Sequence, residues 1–418
     1  MANVFPTDWD LYEYDVDVTI ELPLSSGKKT NYELNHFQIA NLLIEKNFDD
    51  DIFPILMIDL MLPRSIYYKI INNKSSKIIL VVSKYIKTTD GMSYKETIIE
   101  RKFTPVISDD GSDINADMYN SMKSDDGLSN TDLSDIDMNS VYTFILTMDN
   151  DITHSKTIVN TVLSNVTVTT ALLYLLLESG FSDTDILMSS VDNLTLYDQL
   201  ILLPVSLVDQ LEYINNMYGV YKEGMQFFKD FSILYLIRKT GLCTTYTKNE
   251  IKNITFVVSD KVGSMSSMSN GINKDRANSK VYMSLKGDQL NISDVSNVID
   301  NTSGMNTEIL QVETGEMISI FDNTRSSVST SISHSKFIKD EIKLRKTEMS
   351  HVINITIDDI DISLLTPNKE YKFITGVSDM RDTLSGTYRI CKMQSVFNKD
   401  EMGFKCSTVA TFKRTNDR

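Results

Sequence analysis

Residues 201–237 read ILLPVSLVDQLEYINNMYGVYKEGMQFFKDFSILYLI, and several independent signals for local structure coincide in this stretch. Pro204 breaks the preceding apolar run. Ser206 stands three residues before Asp209, which predicts a helix N-terminus with a capping box that uses Asp in place of Glu. An apolar stripe at spacings of four, three and four follows, formed by Leu207, Leu211, Ile214 and Tyr218. The stretch therefore predicts an amphipathic helix from about residue 207 to residue 218.

The second half of the stretch predicts how this helix ends and returns. Gly219 follows Tyr218 where a left-handed C-terminal cap is expected. Past Phe228, residues 231–237 form an apolar run whose length and aromatic content are typical of a buried strand. We therefore expect five residues to matter structurally, as a packing unit between β domains: Pro204, Ser206, Tyr218, Gly219 and Phe228.

The composition is that of an ordinary folded protein. The 418 residues are 41% hydrophobic and 23% charged, which suggests about two to three domains. The formal net charge of −16 argues against nonspecific binding to nucleic acid, which needs clustered Lys and Arg. Such a charge fits a soluble protein or one that faces a basic partner surface.

The cysteines and the apolar segments indicate where the chain is made. Cys243, Cys391 and Cys406 are odd in number and widely spaced, which argues against a disulfide framework and a zinc site. The N-terminus shows no secretory signal, and the longest apolar block, 171–177, is too short to cross a bilayer. We expect no membrane span and assembly in a cytoplasm.

Residues 1–105 are rich in short strand patterns. Residues 12–22 alternate apolar and polar side chains, which predicts a strand with one buried face and one acidic face that carries Glu13, Asp15 and Asp17. Turn signals separate further β-rich runs at 52–61, 66–71, 78–85 and 94–103, and one short helix is expected at 37–46. This spacing predicts a first antiparallel β-barrel, with a sandwich as the alternative.

Residues 106–140 differ from the rest because they are rich in Asp, Ser, Asn and Gly. Such a segment has too little apolar surface to offset the entropy of ordering it. A calcium loop is the alternative, but the D-x-[DN]-x-[DN]-G spacing is not met and no Glu is placed to close a site. We interpret 106–140 as an acidic surface loop.

The remaining chain divides into three regions. Residues 141–260 predict a mixed α/β middle region, with a helix at 169–177, and residues 261–350 predict a loop-rich insertion and connector. Residues 351–418 are β-rich again, and Gly386 and Tyr388 open a strand of a terminal hairpin at 386–412 that is expected to close a second barrel. The predicted fold class is α+β, mostly β, with two small antiparallel β-barrels separated by an inserted mixed α/β region.

The sequence contains no motif for catalysis or for a cofactor. The histidines are scattered, and no nucleophile elbow, zinc helix or phosphate loop occurs in context. Aromatic residues of the 201–237 stretch suit core packing better than a carbohydrate or base-stacking platform, because Glu and Asp lie beside them. We predict no catalytic, cofactor or metal site and no enzyme activity, although a triad built from distant residues stays open.

Two stretches resemble a known family. The pattern LPVSLxDQLEYINNMYGVYxxGxxFFKD at 203–230 is similar to the middle of tail hub proteins from contractile bacteriophages, the baseplate hubs related to the T-even hub and to the N-terminal part of VgrG spikes. The pattern SGTYRICKMQSVFNKDEMGFKCSTVATF at 385–412 resembles the closing hairpin of the second hub barrel. Both patterns consist of structural residues and include no catalytic signature.

The resemblance implies a structural role in the virion. Family members carry two barrels per chain, and three chains form a ring with pseudo-six-fold symmetry. That ring joins the six-fold tail tube to the three-fold central spike around a channel. The implied partners are two further copies of the chain, the tail tube protein, the central spike protein, and baseplate wedge or other hub proteins, with DNA only in transit. This chain departs from the pattern because its two β regions show no sequence repeat.

Two expectations about surfaces follow from the resemblance. Glu13, Asp15 and Asp17 are expected to line the channel, where an acidic lumen would repel DNA phosphates. Edge strands of the barrels are expected to pair or abut between neighbouring subunits. Two alternatives to a hub stay open: a tail-associated cell-wall hydrolase, and a receptor-binding or carbohydrate-binding tail module.

Overall fold

The computed structural model describes residues 11–23, 28–49, 51–87, 93–109, 139–222, 224–231, 233–239, 253–259, 272–275, 280–286, 290–294, 308–311, 316–319, 351–375, 384–400 and 403–415. The strands are β1 (Leu11–Pro23), β2 (Lys29–Glu33), β3 (Ile39–Asn47), β4 (Ile55–Pro63), β5 (Lys77–Lys87), β6 (Ser93–Asp109), β7 (Asn139–Thr147), β8 (Thr161–Thr167), β9 (Ile186–Met188), β10 (Leu196–Leu202), β11 (Met225–Asp230), β12 (Ile233–Arg238), β13 (Asn253–Ser259), β14 (Ile272–Asp275), β15 (Lys280–Lys286), β16 (Leu290–Asp294), β17 (Glu308–Gln311), β18 (Glu316–Ser319), β19 (His351–Asp358), β20 (Glu370–Thr375), β21 (Gly386–Lys399) and β22 (Phe404–Arg414). The helices are α1 (Arg64–Ile71), α2 (Asp149–Lys156), α3 (Val168–Glu178) and α4 (Leu207–Tyr218), with 3₁₀ turns at His36–Gln38, Asp183–Asp185 and Ile362–Leu364.

Eight antiparallel strands close into a barrel in the order β1-β5-β6-β7-β4-β3-β21-β22. Alternating residues of β1, such as Tyr14, Val16 and Val18, point inward and are almost fully buried. The barrel therefore has a packed interior, as an eight-stranded barrel of this kind permits. Ring closure gives every barrel strand two neighbours, so the barrel has no free edge of the kind expected for subunit pairing.

The terminal hairpin β21–β22 belongs to two β structures at once. Besides its partners in the barrel, the hairpin pairs with β19 on one side and β20 on the other. These strands extend into an open sheet in the order β16-β19-β22-β21-β20-β13-β15-β14. The start of β21 pairs with β20, while its later part, from Lys392 to Asn398, pairs with β3 in the barrel. The register of the hairpin shifts between Ile390 and Lys392, and the Phe48 N–H donates to the Cys391 carbonyl there at 2.8 Å. This irregularity lies where β21 passes from one structure to the other.

The α+β, mostly β fold class is confirmed, and the structure corrects how the strands are shared. The first barrel does not end at residue 105, because β7 pairs with both β4 and β6. The two ends of the chain do not form separate barrels in the described residues. A 14-residue strand such as β21 is long enough to cross one small barrel and continue into a second sheet, so both β regions share it.

The middle region forms a second apolar core beside the barrel. Helices α3 and α4 confirm the two helices expected there, and they bury one face each, through Leu172 and Leu176 on α3 and Leu211 and Ile214 on α4. The two-stranded sheet β8–β10 and the three-stranded sheet β9-β12-β11 complete this core. None of the helices that the structure describes is long and apolar enough to span a bilayer.

Two secondary-structure predictions were wrong: a predicted helix is a strand, and a predicted strand is a helix. Residues 37–46 form β3 after a 3₁₀ turn instead of a helix, because Leu42, Ile44 and Lys46 alternate inward with period two. Residues 66–71 belong to helix α1, where Tyr67 and Ile70 are buried three residues apart. In both segments the short apolar pattern fits either period.

The acidic segment lies mostly outside the described residues. Residues 110–138 are not among them, while 106–109 end β6 and 139–140 begin β7. The predicted insertion at 261–350 is described only in short strands, β14 to β18.

Candidate functional site

The start of α4 has the predicted cap in a modified form. Ser206 is the N-cap residue, and its Oγ accepts a hydrogen bond from the Asp209 N–H at 3.3 Å. The Ser206 hydroxyl also donates to Asp209 Oδ2 at 2.6 Å. Asp is one methylene shorter than Glu, so its carboxylate meets the capping hydroxyl instead of the N-cap backbone. Pro204 is exposed in the bend between β10 and α4.

The end of α4 is tied to the middle region through backbone carbonyls. Gly219 has φ +71° and ψ 128°, so the positive φ is as expected but the conformation is not the left-handed helical one. Asn193 Nδ2 donates to the carbonyls of Tyr218 at 2.7 Å and Gly219 at 2.9 Å. The Tyr218 hydroxyl accepts from the Ile201 N–H at 3.2 Å. The role of Asn193 was not predictable from the sequence, because a lone loop Asn carries no periodic signal.

Strand β12 (Ile233–Arg238) confirms the strand expected at 231–237, and it pairs with a preceding strand that the sequence did not predict, β11, so the aromatic return is a hairpin. β11 and β12 are joined by a turn in which Phe231 has φ +52°. Phe228 is fully buried in the barrel core, with its ring edge-on to Phe48 at 4.6 Å between centroids. The Lys229 N–H donates to the Ile52 carbonyl at 2.7 Å. Strand β11 therefore attaches the middle region to the barrel.

Buried charges cross the same junction. Lys46 of β3 contacts Asp230 at 2.7 Å, and Lys229 pairs with Asp151 of α2. Burial raises the pKa of Asp151 in spite of the opposing effect of Lys229. His154 stacks on Phe181 at 3.9 Å, and desolvation, followed by the charge of Lys229, lowers the pKa of His154.

A mostly apolar cleft of about 100 Å³ lies beside these charges and is lined by Phe53, Met148, Asp151 and Phe231 among others. Small-molecule sites are larger, at roughly 300–1,000 Å³. The cleft therefore suits a packing gap at the junction better than a substrate site.

Gly386 and Tyr388 lie at the start of β21, in the open sheet. The Tyr388 hydroxyl donates to the Leu384 carbonyl at 2.9 Å, and its ring is edge-on to Phe373 at 5.0 Å. A Cβ at Gly386 would lie 3.0 Å from the Arg414 guanidinium, so glycine leaves room for that side chain. Both residues pack within the open sheet, where the start of β21 pairs with β20 and not with a strand of the middle region.

Glu13, Asp15 and Asp17 lie on the outer face of β1, opposite the buried residues Tyr14 and Val16. Lys95 of β6 reaches Asp15 at 3.2 Å and Asp17 at 3.6 Å. Its hydrogen bond to Asp15 raises the pKa of Lys95. The acidic face is therefore partly neutralised by Lys95, whose position next to β1 was not predicted from the sequence. These residues do not face the barrel interior, and a position along a channel between subunits stays a prediction.

Metal-ligand and thiol chemistry find little support in the described residues. Within them no group of three or more His, Cys, Asp or Glu side chains could hold a metal ion. Cys391 and Cys406 are buried thiols, and Cys243 lies outside the described residues. Burial raises the pKa of Cys406 to about 12, the opposite of what a nucleophilic thiolate needs.

Comparison with known proteins identifies the family. The chain has the fold of a tail protein from Neisseria meningitidis MC58, with a TM-score of 0.50 at 10% identity, over 96% of this chain and 97% of that one. The 43 kDa tail protein of prophage MuSo2 from Shewanella oneidensis has a TM-score of 0.47 at 11% identity, over 96% and 98% of the two chains. The E. coli c3393 protein, a component of the type VI secretion system, has a TM-score of 0.42 at 10% identity, over 91% and 74%.

A search among curated proteins found no match to the sequence. The family model described as Bacteriophage PBS1 gene 109 protein, however, matches residues 17–415. The resemblance to bacteriophage tail proteins is thereby confirmed. The chain belongs to the family of the bacteriophage PBS1 gene 109 protein.

Proposed function

We propose that three copies of this chain form a ring in the phage baseplate that joins the six-fold tail tube to the three-fold central spike. The observation that carries the proposal is the pair of β structures joined through β21 and β22 in a tail-protein fold. Two β units in each of three chains, one the closed barrel and the other the open sheet, would present six units to the tube, while the ring itself keeps three-fold symmetry for the spike.

The packing of the barrel supports a channel between chains and not within one. Side chains such as Ile58, Leu80 and Phe144 fill the barrel interior and are fully buried. DNA therefore has no path through a single barrel. A closed ring of three chains with head-to-tail contacts would leave a central opening. In that ring the outer face of β1, with Glu13, Asp15 and Asp17, is the acidic surface that we propose faces the channel.

The partners of such a hub are the tail tube protein and the central spike protein, with baseplate wedge or other hub proteins around them. The proposed location is therefore the virion tail, after assembly in the host cytoplasm. The role is structural and non-enzymatic, and DNA meets the chain only in transit.

Mass in solution and imaging test the ring. The purified chain alone is expected to give particles of three times the 47.5 kDa chain mass, and complexes formed with tube and spike proteins are expected to contain three copies of it. Class averages from negative-stain electron microscopy are expected to show three-fold rings. A chain that stays monomeric in every mixture contradicts the proposal.

Two activity assays separate the alternatives. A zymogram in which the purified chain clears cell wall would favour a tail-associated hydrolase. Binding to a glycan array at micromolar affinity would favour a receptor-binding or carbohydrate-binding module. The hub proposal expects neither result.

A further inference from the structure

The small sheet β8–β10 has one face in the second core and one face in solvent. Leu163 and Leu200 are register partners, and Leu200 is fully buried in that core. The next pair, Val162 and Ile201, projects to the opposite face, where their exposed fractions are 54% and 43%. Ser164 and Gln199, the pair after the next along the ladder, project to the same face and are exposed as well. The outer face of the sheet therefore presents Val162 and Ile201 as exposed apolar side chains beside two uncharged polar ones.

One edge of this sheet is covered and the other is open. The Ile201 N–H donates to the Tyr218 hydroxyl, so the backbone of Ile201 points away from β8. Because Val162 is opposite Ile201, this is a non-hydrogen-bonded pair of an antiparallel ladder. The N–H and C=O groups of Val162, and by alternation those of Ser164, then point to the free edge of β8. Within the described part of the chain no strand pairs there.

The distribution of charge along the chain indicates which partner the β8 edge can bind. Two copies of a chain with a net charge of −16 repel one another over most of their surface. β8 lies in residues 157–177, which contain no charged residue, and β10 adds only Asp198. Charges protect the open edge of β2, which carries the exposed side chains of Lys29 and Glu33. The β8 edge therefore carries no charge that would repel a second copy of the chain, and no charged side chain that would block strand pairing.

We propose that the free edge of β8, together with the exposed side chains of Val162 and Ile201, pairs with a strand of a second copy of this chain. The inference rests on the ring proposed above and assigns one of its subunit contacts to this sheet. Strand addition at an open edge supplies backbone hydrogen bonds, and the two apolar side chains of the outer face supply buried area. The contact replaces the barrel-edge pairing expected from the sequence, since the closed barrel offers no edge.

Two full-length variants test the contact by different means. Val162→Lys places a charge on the outer face, and Ser164→Pro removes an N–H that points to the free edge while leaving the hydrogen bonds to β10 intact. Each is expected to weaken self-association by about tenfold or more, because the buried charge or lost edge donor has no compensating partner. Val409→Lys, at a 42% exposed strand position of β22, is the matched control.

Sedimentation of wild type and variants over a concentration series gives the dissociation constants, and circular dichroism confirms that each variant is folded. Weakened association in both variants, with the control unchanged, supports the contact. A wild-type ring that persists in both variants with an unchanged dissociation constant overturns this contact and leaves the ring standing. A wild-type chain that never associates, even with tube and spike proteins, overturns both.

Discussion

Arg389 of β21 makes a two-pronged ion pair with Asp49, which lies in the turn after β3, 340 residues earlier in the chain. Lys413 of β22 reaches the same carboxylate at 2.8 Å. The Arg389 side chain is almost fully buried. This cluster fastens the shared hairpin to the barrel next to the Cys391 irregularity, so it stabilises the joint between the two β structures.

Asp49→Asn is expected to destabilise the chain by about 3 kcal/mol, because it leaves buried Arg389 facing a neutral group. Lys405→Gln removes an exposed pair with Asp400 and is the control, with an expected change under about 1 kcal/mol. The free energy of unfolding in denaturant measures both. Equal effects of the two substitutions would show that the joint does not depend on Asp49.

The same cluster predicts an acid dependence. Burial alone would raise the pKa of Asp49, but the charges and hydrogen bonds of Arg389 and Lys413 lower it from 3.8 to about 2. The folded-state pKa is below the unfolded one, so the contribution is complete above pH 3.8 and is lost as the pH falls towards 2. It amounts to about 2 kcal/mol. The difference in unfolding free energy between wild type and Asp49→Asn should narrow over that interval.

Gly219→Val is expected to disrupt folding or ring assembly, because φ +71° strains a β-branched residue by about 1–3 kcal/mol. Gly219→Asn should not rescue stability, since ψ 128° is outside the left-handed helical region that Asn tolerates. Asn216→Ala, at an exposed position of the same helix, is expected to be neutral. Thermal unfolding and particle mass measure the outcome, and a Gly219→Val chain that folds and assembles normally contradicts it.

Gly403→Ala and Gly386→Ala form a matched pair. A Cβ at Gly403 would lie 3.0 Å from the Tyr14 carbonyl, beside the Tyr14–Phe404 contact that closes the barrel. A Cβ at Gly386 would lie equally close to Arg414, but to the end of a flexible side chain. We expect Gly403→Ala to lower the unfolding temperature more than Gly386→Ala, because backbone yields less easily. The reverse order would contradict this account of barrel closure.

Phe228→Ala tests the attachment of the middle region. Phe228 is fully buried in the barrel core, whereas Phe227 is only partly buried against the second core. Truncating Phe228 is expected to cost about 3–5 kcal/mol of unfolding free energy, and Phe227→Ala less. Denaturant unfolding gives both values. Similar losses for the two residues would mean that β11 is not the main attachment.

His154 predicts a second pH effect. It is 6% exposed, with Lys229 and Asp185 as the charges that act on it, and desolvation lowers the pKa of His154 below 6.5. The unfolded chain then binds the proton more readily, so stability is present above pH 6.5 and declines as the pH falls below it. His154→Leu should flatten the unfolding free energy between pH 7 and pH 5. An unchanged slope in that variant would assign the effect to other groups.

The sequence by itself determined the elements whose periodicity is long and unambiguous. The alternation of β1, the stripe and Ser206 cap of α4, and the hairpin that begins near Gly386 all follow local rules, because each repeats one period over ten residues or more. The mostly β class and the resemblance to tail proteins follow from the same stretches.

The tertiary structure alone decided which of these elements meet. Short segments such as β3 and α1 fit both periods locally, so only their neighbours selected strand or helix. The pairing of β21 with β3, the ion pair of Asp49 with Arg389 and the insertion of Phe228 beside Phe48 join residues far apart in the chain. Such contacts depend on the packing of the whole barrel, and no local pattern encodes them.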